Sequence, residues 1–319
     1  MSGVSVADVA IQLLFLVIGF VMLVKGADWF VDGASKVAEK FGIPQIIIGL
    51  TIVAIGTSLP EAAVSTAAAL KGSAEITIGN VLGSNIMNIL LILGITSVIC
   101  PLTIQKTTVK IDMPIVIGGS ILLMGLGLLD GFVGRTDGII LLVGLAAYLF
   151  YLLQMSRKGQ AVMEEDAKTG TGDNLLKMIL LILVGAVMIV FGSDVTVDAA
   201  TALATLFRMD ERLIGLTIVA FGTSLPELVT STTAAIKGKA DIAVGNIVGS
   251  NIFNILFVVG ISSVITPVVY EQKFLVDSIV CIAAAVVLWL CVLPKHKLKR
   301  QGGAILLAGY VGYFIYLLQ

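Results

Sequence analysis

Two glutamates lie inside long apolar segments of the chain, where an unpaired charge is costly. Residues 49–61 read GLTIVAIGTSLPE and residues 215–227 read GLTIVAFGTSLPE, so Glu61 and Glu227 close two nearly identical motifs. A carboxylate in an apolar span has to be protonated, paired or bound to a cation. The two motif segments contain no Lys or Arg at comparable depth. This composition favours a bound cation or a proton over a protein partner.

A proline precedes each glutamate and removes one backbone donor from the helix. Non-helical backbone is tolerated at membrane depth only where it lines a cavity. We therefore expect freed carbonyl oxygens that point toward the carboxylates, together with the hydroxyls of Thr57 and Ser58. The expected carbonyls belong to Ala54, Gly56 and Thr57 and, in the second motif, to Ala220, Gly222 and Thr223.

A second duplicated motif adds neutral oxygens. Residues 79–90 read GNVLGSNIMNIL and residues 245–256 read GNIVGSNIFNIL. Ser84 and Asn88 are four residues apart and share one helix face, as do Ser250 and Asn254. Oxygen ligands select hard cations such as calcium. Two carboxylates match the charge of one Ca²⁺ or two Na⁺.

The composition indicates the elements that must position these residues. Of the 319 residues, 58% are hydrophobic and only 13% are charged, far below the roughly 25% charged residues of soluble domains. The chain is therefore expected to be an all-α polytopic membrane protein with spans of about 20 residues. A net charge of −1 gives no reason to expect nucleic acid binding. The ten predicted spans are 9–30, 43–70, 76–100, 112–130, 137–154, 175–196, 211–236, 242–265, 275–293 and 302–318.

Both motif pairs are related by one offset of 166 residues, which indicates duplication. We predict a first five-helix repeat at 1–154, a linker at 155–174 and a second five-helix repeat at 175–319. Because five is odd, the second repeat would enter the membrane from the opposite side. Two inverted-topology repeats of this kind are typical of secondary transporters, with the site near the midplane.

The distribution of Lys and Arg predicts the orientation. The face that holds both termini carries five cationic residues, and the opposite face carries fourteen. The five are Lys71, Arg135, Arg208, Arg212 and Lys273. The positive-inside rule then places both termini outside and the linker 155–174 in the cytoplasm. We expect the chain to lie in the cell membrane and to function as a monomer.

With its motifs GTSLPE at 56–61 and 222–227, GSNIMN at 83–88 and GSNIFN at 249–254, the chain resembles the sodium/calcium exchanger family in its compact prokaryotic form. The resemblance covers the whole chain. It implies exchange of Ca²⁺ for Na⁺ by alternating access, with three Na⁺ per Ca²⁺, and with spans 1 and 6 sliding as a gating pair. It implies no enzyme activity and no cofactor, because Ca²⁺ and Na⁺ are the transported ions.

The resemblance also assigns roles by motif match. Glu61 and Glu227 would be the central carboxylates shared by Ca²⁺ and Na⁺, with Asn88 and Asn254 at the centre. The remaining ligands would be backbone oxygens of Thr57, Thr223, Ala54 and Ala220, and the flanking Na⁺ sites would use Ser58, Ser224, Ser84 and Ser250. Asn254 departs from the family pattern, in which several members carry Asp. The site charge here is −2 rather than −3.

Only a few residues of the sequence distinguish sodium/calcium exchange from alternative functions. A Ca²⁺/H⁺ antiporter, or a K⁺-dependent one, could use the same two glutamates. The four site serines and two asparagines favour Na⁺ as the counter-ion. An intramembrane hydrolase is disfavoured because the sequence has no HExxH pair and no Ser/His set. A channel is disfavoured because symmetric halves suit alternating closure rather than a continuous pore.

Overall fold

The computed structural model describes residues 6–72, 74–163, 174–207 and 220–318, which are helical almost throughout. The helical segments of the first half are α1 (Val6–Phe41), α2 (Gln45–Ile48), π1 (Gly49–Val53), α3 (Ala54–Thr57), α4 (Leu59–Leu70), α5 (Glu75–Ile86), π2 (Met87–Ile92), α6 (Leu93–Ile99), π3 (Thr108–Asp112), α7 (Met113–Asp130) and α8 (Arg135–Met163), where π denotes π-helix. Those of the second half are α9 (Leu175–Leu206), α10 (Ala220–Gly222), α11 (Leu225–Ile236), α12 (Ala240–Phe253), π4 (Asn254–Val259), α13 (Gly260–Ile265), α14 (Phe274–Val292) and α15 (Arg300–Leu317).

Seven of the helices in the described part of the chain are long and apolar enough to cross a membrane. An eighth is added if Gln45–Thr57 and Leu59–Leu70, bent by 48° at Ser58, form one span. The predicted span 211–236 lies partly outside the described residues. The predicted span 302–318 coincides with the helix α15, which is not one of these seven helices. The all-helical membrane architecture is confirmed, and the number ten stays a prediction.

Several helices run beyond the predicted spans. The helix α1 continues to Phe41 and α9 to Leu206, each at least ten residues past the predicted end. At about 1.5 Å per residue, the 36 residues of α1 extend about 54 Å. That length exceeds a hydrocarbon core of about 30 Å, so α1 must tilt or project from the membrane. The helix α8 continues to Met163, and residues 164–173 of the predicted linker lie outside the described residues.

Two helix runs form the centre of the molecule. In the most apolar 18-residue stretch of each span, 72% of the residues are buried in Ile76–Ile99 and 83% in Ala240–Ile265. The corresponding fraction is 17–33% in the other five single-helix spans. These two runs carry the second duplicated motif. The helix α12 packs directly on the first motif of the other half. A Cβ atom at Gly249 would lie 2.7 Å from the Leu50 carbonyl oxygen, so the contact is between backbones.

The helices α1 and α9 form a second unit that packs along its length. A Cβ atom at Gly26 would lie 2.9 Å from the Gly185 carbonyl oxygen, and one at Gly185 would lie 2.7 Å from the Gly26 carbonyl oxygen. Glycine at both positions therefore permits backbone contact, as small residues do between membrane helices. The two long helices therefore pack as one unit.

Two short antiparallel ladders join connections of the two halves. The strand β1 (Leu102–Thr103) pairs with β4 (Lys297–Leu298). The strand β2 (Phe132–Val133) pairs with β3 (Val268–Val269). Each ladder therefore contains one strand from each half. We use the β1·β4 end and the β2·β3 end as names for the two ends of the molecule.

Candidate ion-binding site

Breaks in two helices place Glu61 and Glu227 at equivalent positions. Pro60 and Pro226 lie in the first turn of α4 and α11, where a missing N–H is tolerated. The preceding serines, Ser58 and Ser224, leave the helical conformation with ψ near 8° and 2°. Each glutamate directly follows its proline and is at most 1% exposed.

The expected role of the Ala54 carbonyl needs a correction. It is not freed by Pro60, because it accepts the Ser58 N–H at 3.0 Å. The residue four positions before Pro60 is Gly56, so the proline removes a donor from Gly56 instead. The Ala54 carbonyl also accepts the Ser250 hydroxyl at 3.4 Å. In the second half the Ser224 N–H goes to Phe221 at 3.2 Å rather than to Ala220.

One oxygen of each carboxylate is held by serine hydroxyls. Ser84 donates to Glu61 Oε1 and Ser250 donates to Glu227 Oε1, both at 3.4 Å. Ser58 reaches from the first half to Glu227 Oε1 at 3.0 Å. The Oε2 atoms of both glutamates are buried and have no hydrogen-bond partner within the described ranges. One oxygen of each carboxylate is thus oriented, and the other is left available.

Four asparagines at the centre are locked by reciprocal hydrogen bonds. Asn85 Nδ2 donates to the Asn251 carbonyl at 3.3 Å, and Asn251 Nδ2 donates to the Asn85 carbonyl at 3.5 Å. Their Oδ1 atoms accept from Asn254 Nδ2 at 3.1 Å and from Asn88 Nδ2 at 3.0 Å. This chain of donors fixes the amide orientation of Asn88 and Asn254. The Oδ1 atoms of Asn88 and Asn254 have no hydrogen-bond partner among the residues that the structure describes.

The result is a buried set of four unpartnered oxygens in two equivalent pairs. They are Oε2 of Glu61 and Glu227, and Oδ1 of Asn88 and Asn254. Buried polar atoms are rarely left unpaired, and each one calls for an explanation such as a bound ion. Two carboxylates and two amides provide the hard oxygen ligands that Ca²⁺ and Na⁺ require. The described residues contain no cluster of three or more His, Cys, Asp or Glu side chains. Neutral oxygens would therefore complete such a site.

The other predicted site residues differ in burial and in hydrogen bonding. Ser84, Ser250 and Ser58 contact the carboxylates, whereas the buried Ser224 hydroxyl has no partner in the described part. Thr57 is buried and donates to Asn246 Oδ1 at 2.9 Å. Its counterpart Thr223 is only half-buried. Of Ala220 only the backbone, in the helix α10, is described.

The structure adds supporting residues that were not assigned as ligands. Asn80 Nδ2 donates to the Ser65 hydroxyl at 2.9 Å, and Asn246 Nδ2 donates to the Ser231 hydroxyl at 2.9 Å. Asn80 also donates to the Glu61 carbonyl at 3.2 Å. These contacts join the two motifs within each half. Ser65 and Ser231 follow the same 166-residue offset, and this signal could have identified them.

A membrane-spanning helical protein with a buried, anionic and oxygen-lined centre belongs to the class of cation transporters. The similarity of the chain to known proteins agrees with that class. The family described as "Sodium/calcium exchanger protein" matches residues 11–154 and 177–319. The solved structure of the sodium-calcium exchanger NCX_Mj, soaked with zero Na⁺ and Ca²⁺, superposes with a TM-score of 0.84 at 30% identity. That match covers 97% of this chain and 99% of the other.

Relatives also match the chain over nearly its full length. The putative antiporter CaxA of Alkalimonas amylolytica is 38% identical over 309 residues, which are 94% of this chain and 96% of that protein. The sodium/calcium exchanger MaX1 of Methanosarcina acetivorans is 32% identical, with 97% and 99% covered. The chain therefore belongs to the sodium/calcium exchanger family, a family of membrane transporters rather than enzymes.

Proposed function

We propose that this protein is a secondary antiporter that exchanges Ca²⁺ for Na⁺ across the cell membrane by alternating access. The observation that carries the proposal is the set of four unpartnered buried oxygens, two of which belong to carboxyl groups. No Lys or Arg ion-pairs with Glu61 or Glu227 in the described structure, so their charge is available to a cation. One Ca²⁺ neutralises the two carboxylates, and Na⁺ ions compete for the same charge.

The roles of the site residues follow from their contacts. Glu61, Glu227, Asn88 and Asn254 would hold the central ion through their unpartnered oxygens. The carboxylate oxygens that Ser58, Ser84 and Ser250 contact would be shared with flanking Na⁺ ions. Ser224 would complete that set through its unpartnered hydroxyl. Backbone oxygens of Thr57, Thr223, Ala54 and Ala220 would supply the remaining ligands.

Ten spans in two inverted repeats are the architecture that we propose for this activity. Contacts between connections support the parity of the spans. The β1·β4 ladder joins the connections after predicted spans 3 and 9, and the β2·β3 ladder joins those after spans 4 and 8. Each ladder thus joins connections that ten spans place on one side. Gln105 donates to Asp241 at 2.7 Å, which links the connection after span 3 to the start of span 8.

Exchange of three Na⁺ for one Ca²⁺ would move one net positive charge per cycle. That charge is worth about 2.3 kcal/mol per 100 mV of membrane potential. The site charge of −2 requires a third Na⁺ to be held mostly by neutral oxygens. The serine hydroxyls around the two glutamates are suitable ligands for it.

Proteoliposomes test both the ions and the charge movement. An outward Na⁺ gradient should drive ⁴⁵Ca²⁺ uptake, and the uptake rate should change with the sign of a K⁺/valinomycin potential. Uptake that follows a proton gradient without Na⁺ would assign H⁺ as the counter-ion instead. A requirement for K⁺ in the absence of valinomycin would assign a K⁺-dependent exchanger. A rate and a reversal point that ignore the voltage would show electroneutral exchange.

A further inference from the structure

A lysine at the end of α11 joins the ion-binding helices to the α1–α9 unit. Lys237 Nζ lies 2.6 Å from carboxylate oxygens of both Asp28 and Asp32 on α1. It also donates to the Asp28 carbonyl at 3.1 Å. Burial alone lowers the pKa of the Lys237 amine, but its hydrogen bonds to the two aspartates leave that pKa above its ordinary value. Lys237 directly follows the helix that carries Glu227.

The same arrangement of one lysine and two aspartates is encoded a second time in the sequence. The offset of 166 carries Lys237 back to Lys71, and it carries Asp28 and Asp32 forward to Asp194 and Asp198. In the structure the second set, Lys71 with Asp194 and Asp198, is exposed. The ion pairs found between described residues include the first set and not the second. One of two equivalent clusters is closed, and the other is open.

The two clusters belong to opposite ends of the molecule. Asp241, which follows Lys237 closely, is bonded to Gln105 next to β1. Ala69, which precedes Lys71, accepts a hydrogen bond from Thr266 next to β3 at 2.9 Å. The closed cluster is thus at the β1·β4 end, and the open cluster is at the β2·β3 end.

The interior has the same asymmetry as the clusters. Toward the β1·β4 end, Thr57 is buried and its hydroxyl donates a hydrogen bond to Asn246 Oδ1. Its counterpart Thr223 is half-buried and lies two residues after Phe221, which lines a cavity of about 430 Å³. This largely apolar cavity lies between the second motif and the α1–α9 unit, with Leu91 of π2 and Tyr310 of α15 completing its lining. The open cluster, the partly exposed threonine and the cavity describe one state.

We propose that Lys237 with Asp28 and Asp32, and Lys71 with Asp194 and Asp198, are two alternating ion-pair latches that position the α1–α9 unit. Each latch holds the unit against the ion-binding helices at the end that is closed, and it is broken when that end opens. The inference rests on the proposed alternating access and adds the residues that balance its two states. The lysines act through the position of α1 and α9 and do not touch the ions.

Equivalent substitutions in the two halves should have opposite effects. Spin labels at Leu70 on α4 and Thr205 on α9 report the separation at the β2·β3 end by double electron–electron resonance. Lys237→Gln should raise the population with the short Leu70–Thr205 distance roughly three- to fivefold, because the ion pairs that stabilise the wild-type state are lost. Lys71→Gln should lower that population by a similar factor. Lys237→Arg keeps the charge and should restore the wild-type distribution.

Na⁺-driven Ca²⁺ uptake is measured on the same samples and separates the two proposals. Uptake by the wild type together with unchanged distances, or with shifts of the same sign in both Gln variants, would overturn the latches and leave the exchange intact. Opposite shifts without any Na⁺-driven uptake would support the latches and reject Na⁺/Ca²⁺ exchange. A variant that fails to fold is identified by loss of its size-exclusion peak. Asp32→Asn then replaces Lys237→Gln, and Asp198→Asn replaces Lys71→Gln, with the same expected signs.

Discussion

Asn85 and Asn251 orient the side-chain amides of Asn88 and Asn254. The Nδ2 atom of each donates to the backbone carbonyl of the other. The Oδ1 atom of Asn85 accepts from Asn254, and the Oδ1 atom of Asn251 accepts from Asn88. The carbonyl oxygens of those two amides are thereby directed away from protein donors. Desolvated oxygens held in this way favour cation binding, because little reorganisation remains to be made when the ion arrives.

Removal of either central carboxylate charge should abolish exchange. Glu61→Gln and Glu227→Gln each leave one negative charge for a divalent ion. Even at an effective dielectric constant of about 20, a unit charge in contact with an ion is worth several kcal/mol, so Ca²⁺ affinity should fall at least about a hundredfold. Isothermal titration and ⁴⁵Ca²⁺ uptake measure the effect. Glu271→Gln, at an acid whose ion-pair partner is Lys273, is the matched control. Normal uptake in either site variant would contradict the assignment.

A third charge at the centre should make exchange sensitive to protons. In the variant Asn254→Asp, an ionised carboxylate would face Asn85 Oδ1, which accepts from Asn254 at 3.1 Å in the wild type. Only the protonated acid can keep that hydrogen bond. Apparent Ca²⁺ affinity should therefore rise as increasing pH ionises the introduced carboxyl group, because the ionised form adds negative charge to the site. The wild type should lack this step, and identical pH profiles of variant and wild type would reject the expectation.

At the level of residues, the sequence predicts candidate ligands but not the contacts that each of them makes. Duplication identified the two glutamates, the serines and the asparagines, because each recurs at one offset. It could not show that the Ala54 carbonyl keeps its Ser58 donor. It also could not show that Thr57 and Thr223 differ in exposure, since two copies of one motif are equal in sequence and unequal in any single transport state.

At the level of elements, the breaks in two helices and the close packing of α12 determine the shape of the site. The bend at Ser58 separates α3 from α4, and α12 lies against π1 and α3 through glycine. The sequence predicted the breaks, because proline removes a donor. It did not predict the full length of α1, because the charged residues Asp28 and Asp32 end the apolar stretch, whereas the helix continues to Phe41 and both aspartates pair with Lys237.

A side chain at the α12 contact should separate the halves of the site. In Gly249→Val the Cβ atom would lie 2.7 Å from both the Leu50 carbonyl oxygen and the Ala54 Cβ atom. Overpacking of this kind costs about 1–3 kcal/mol, and it would displace the motif that carries Glu61. Thermal unfolding temperature and Ca²⁺ uptake should both decline. Gly118→Val, at an exposed glycine whose Cβ position has no atom of another described helix within 4 Å, should change neither. Equal effects of the two variants would refute the explanation.

At the level of the whole molecule, the ladders connect ends of spans that lie far apart in the sequence. They agree with the count of ten, yet the orientation in the membrane rests on the distribution of Lys and Arg alone. The sequence could indicate that distribution because charge is visible in it. It could not indicate the ladders, since two-residue strands have no periodic pattern to detect.

Cysteine labelling tests the orientation. Single cysteines at the exposed positions Arg135 and Lys299 would replace residues of two connections at opposite ends. The first should react with an impermeant thiol reagent in intact cells and the second should react only after lysis, once Cys100, Cys281 and Cys291 are replaced. The reverse pattern would place the termini in the cytoplasm. Reaction at both positions in intact cells would indicate that the labelled cells are leaky, and the ratio of intact-cell to lysed-cell labelling then decides.

The composition of the ladders has a consequence for the origin of the protein. Each ladder takes one strand from each half, and the offset of about 166 residues exchanges the two ladders. Two copies of a single half-length chain, inserted in opposite directions, could therefore form both ladders and the reciprocal asparagine bonds. An ancestral gene of half this length could have encoded a working homodimer. Fusion would then have allowed the two copies to diverge, for example beside β4, where Lys295, Lys297, Lys299 and Arg300 have only Arg135 as a cationic counterpart near β2.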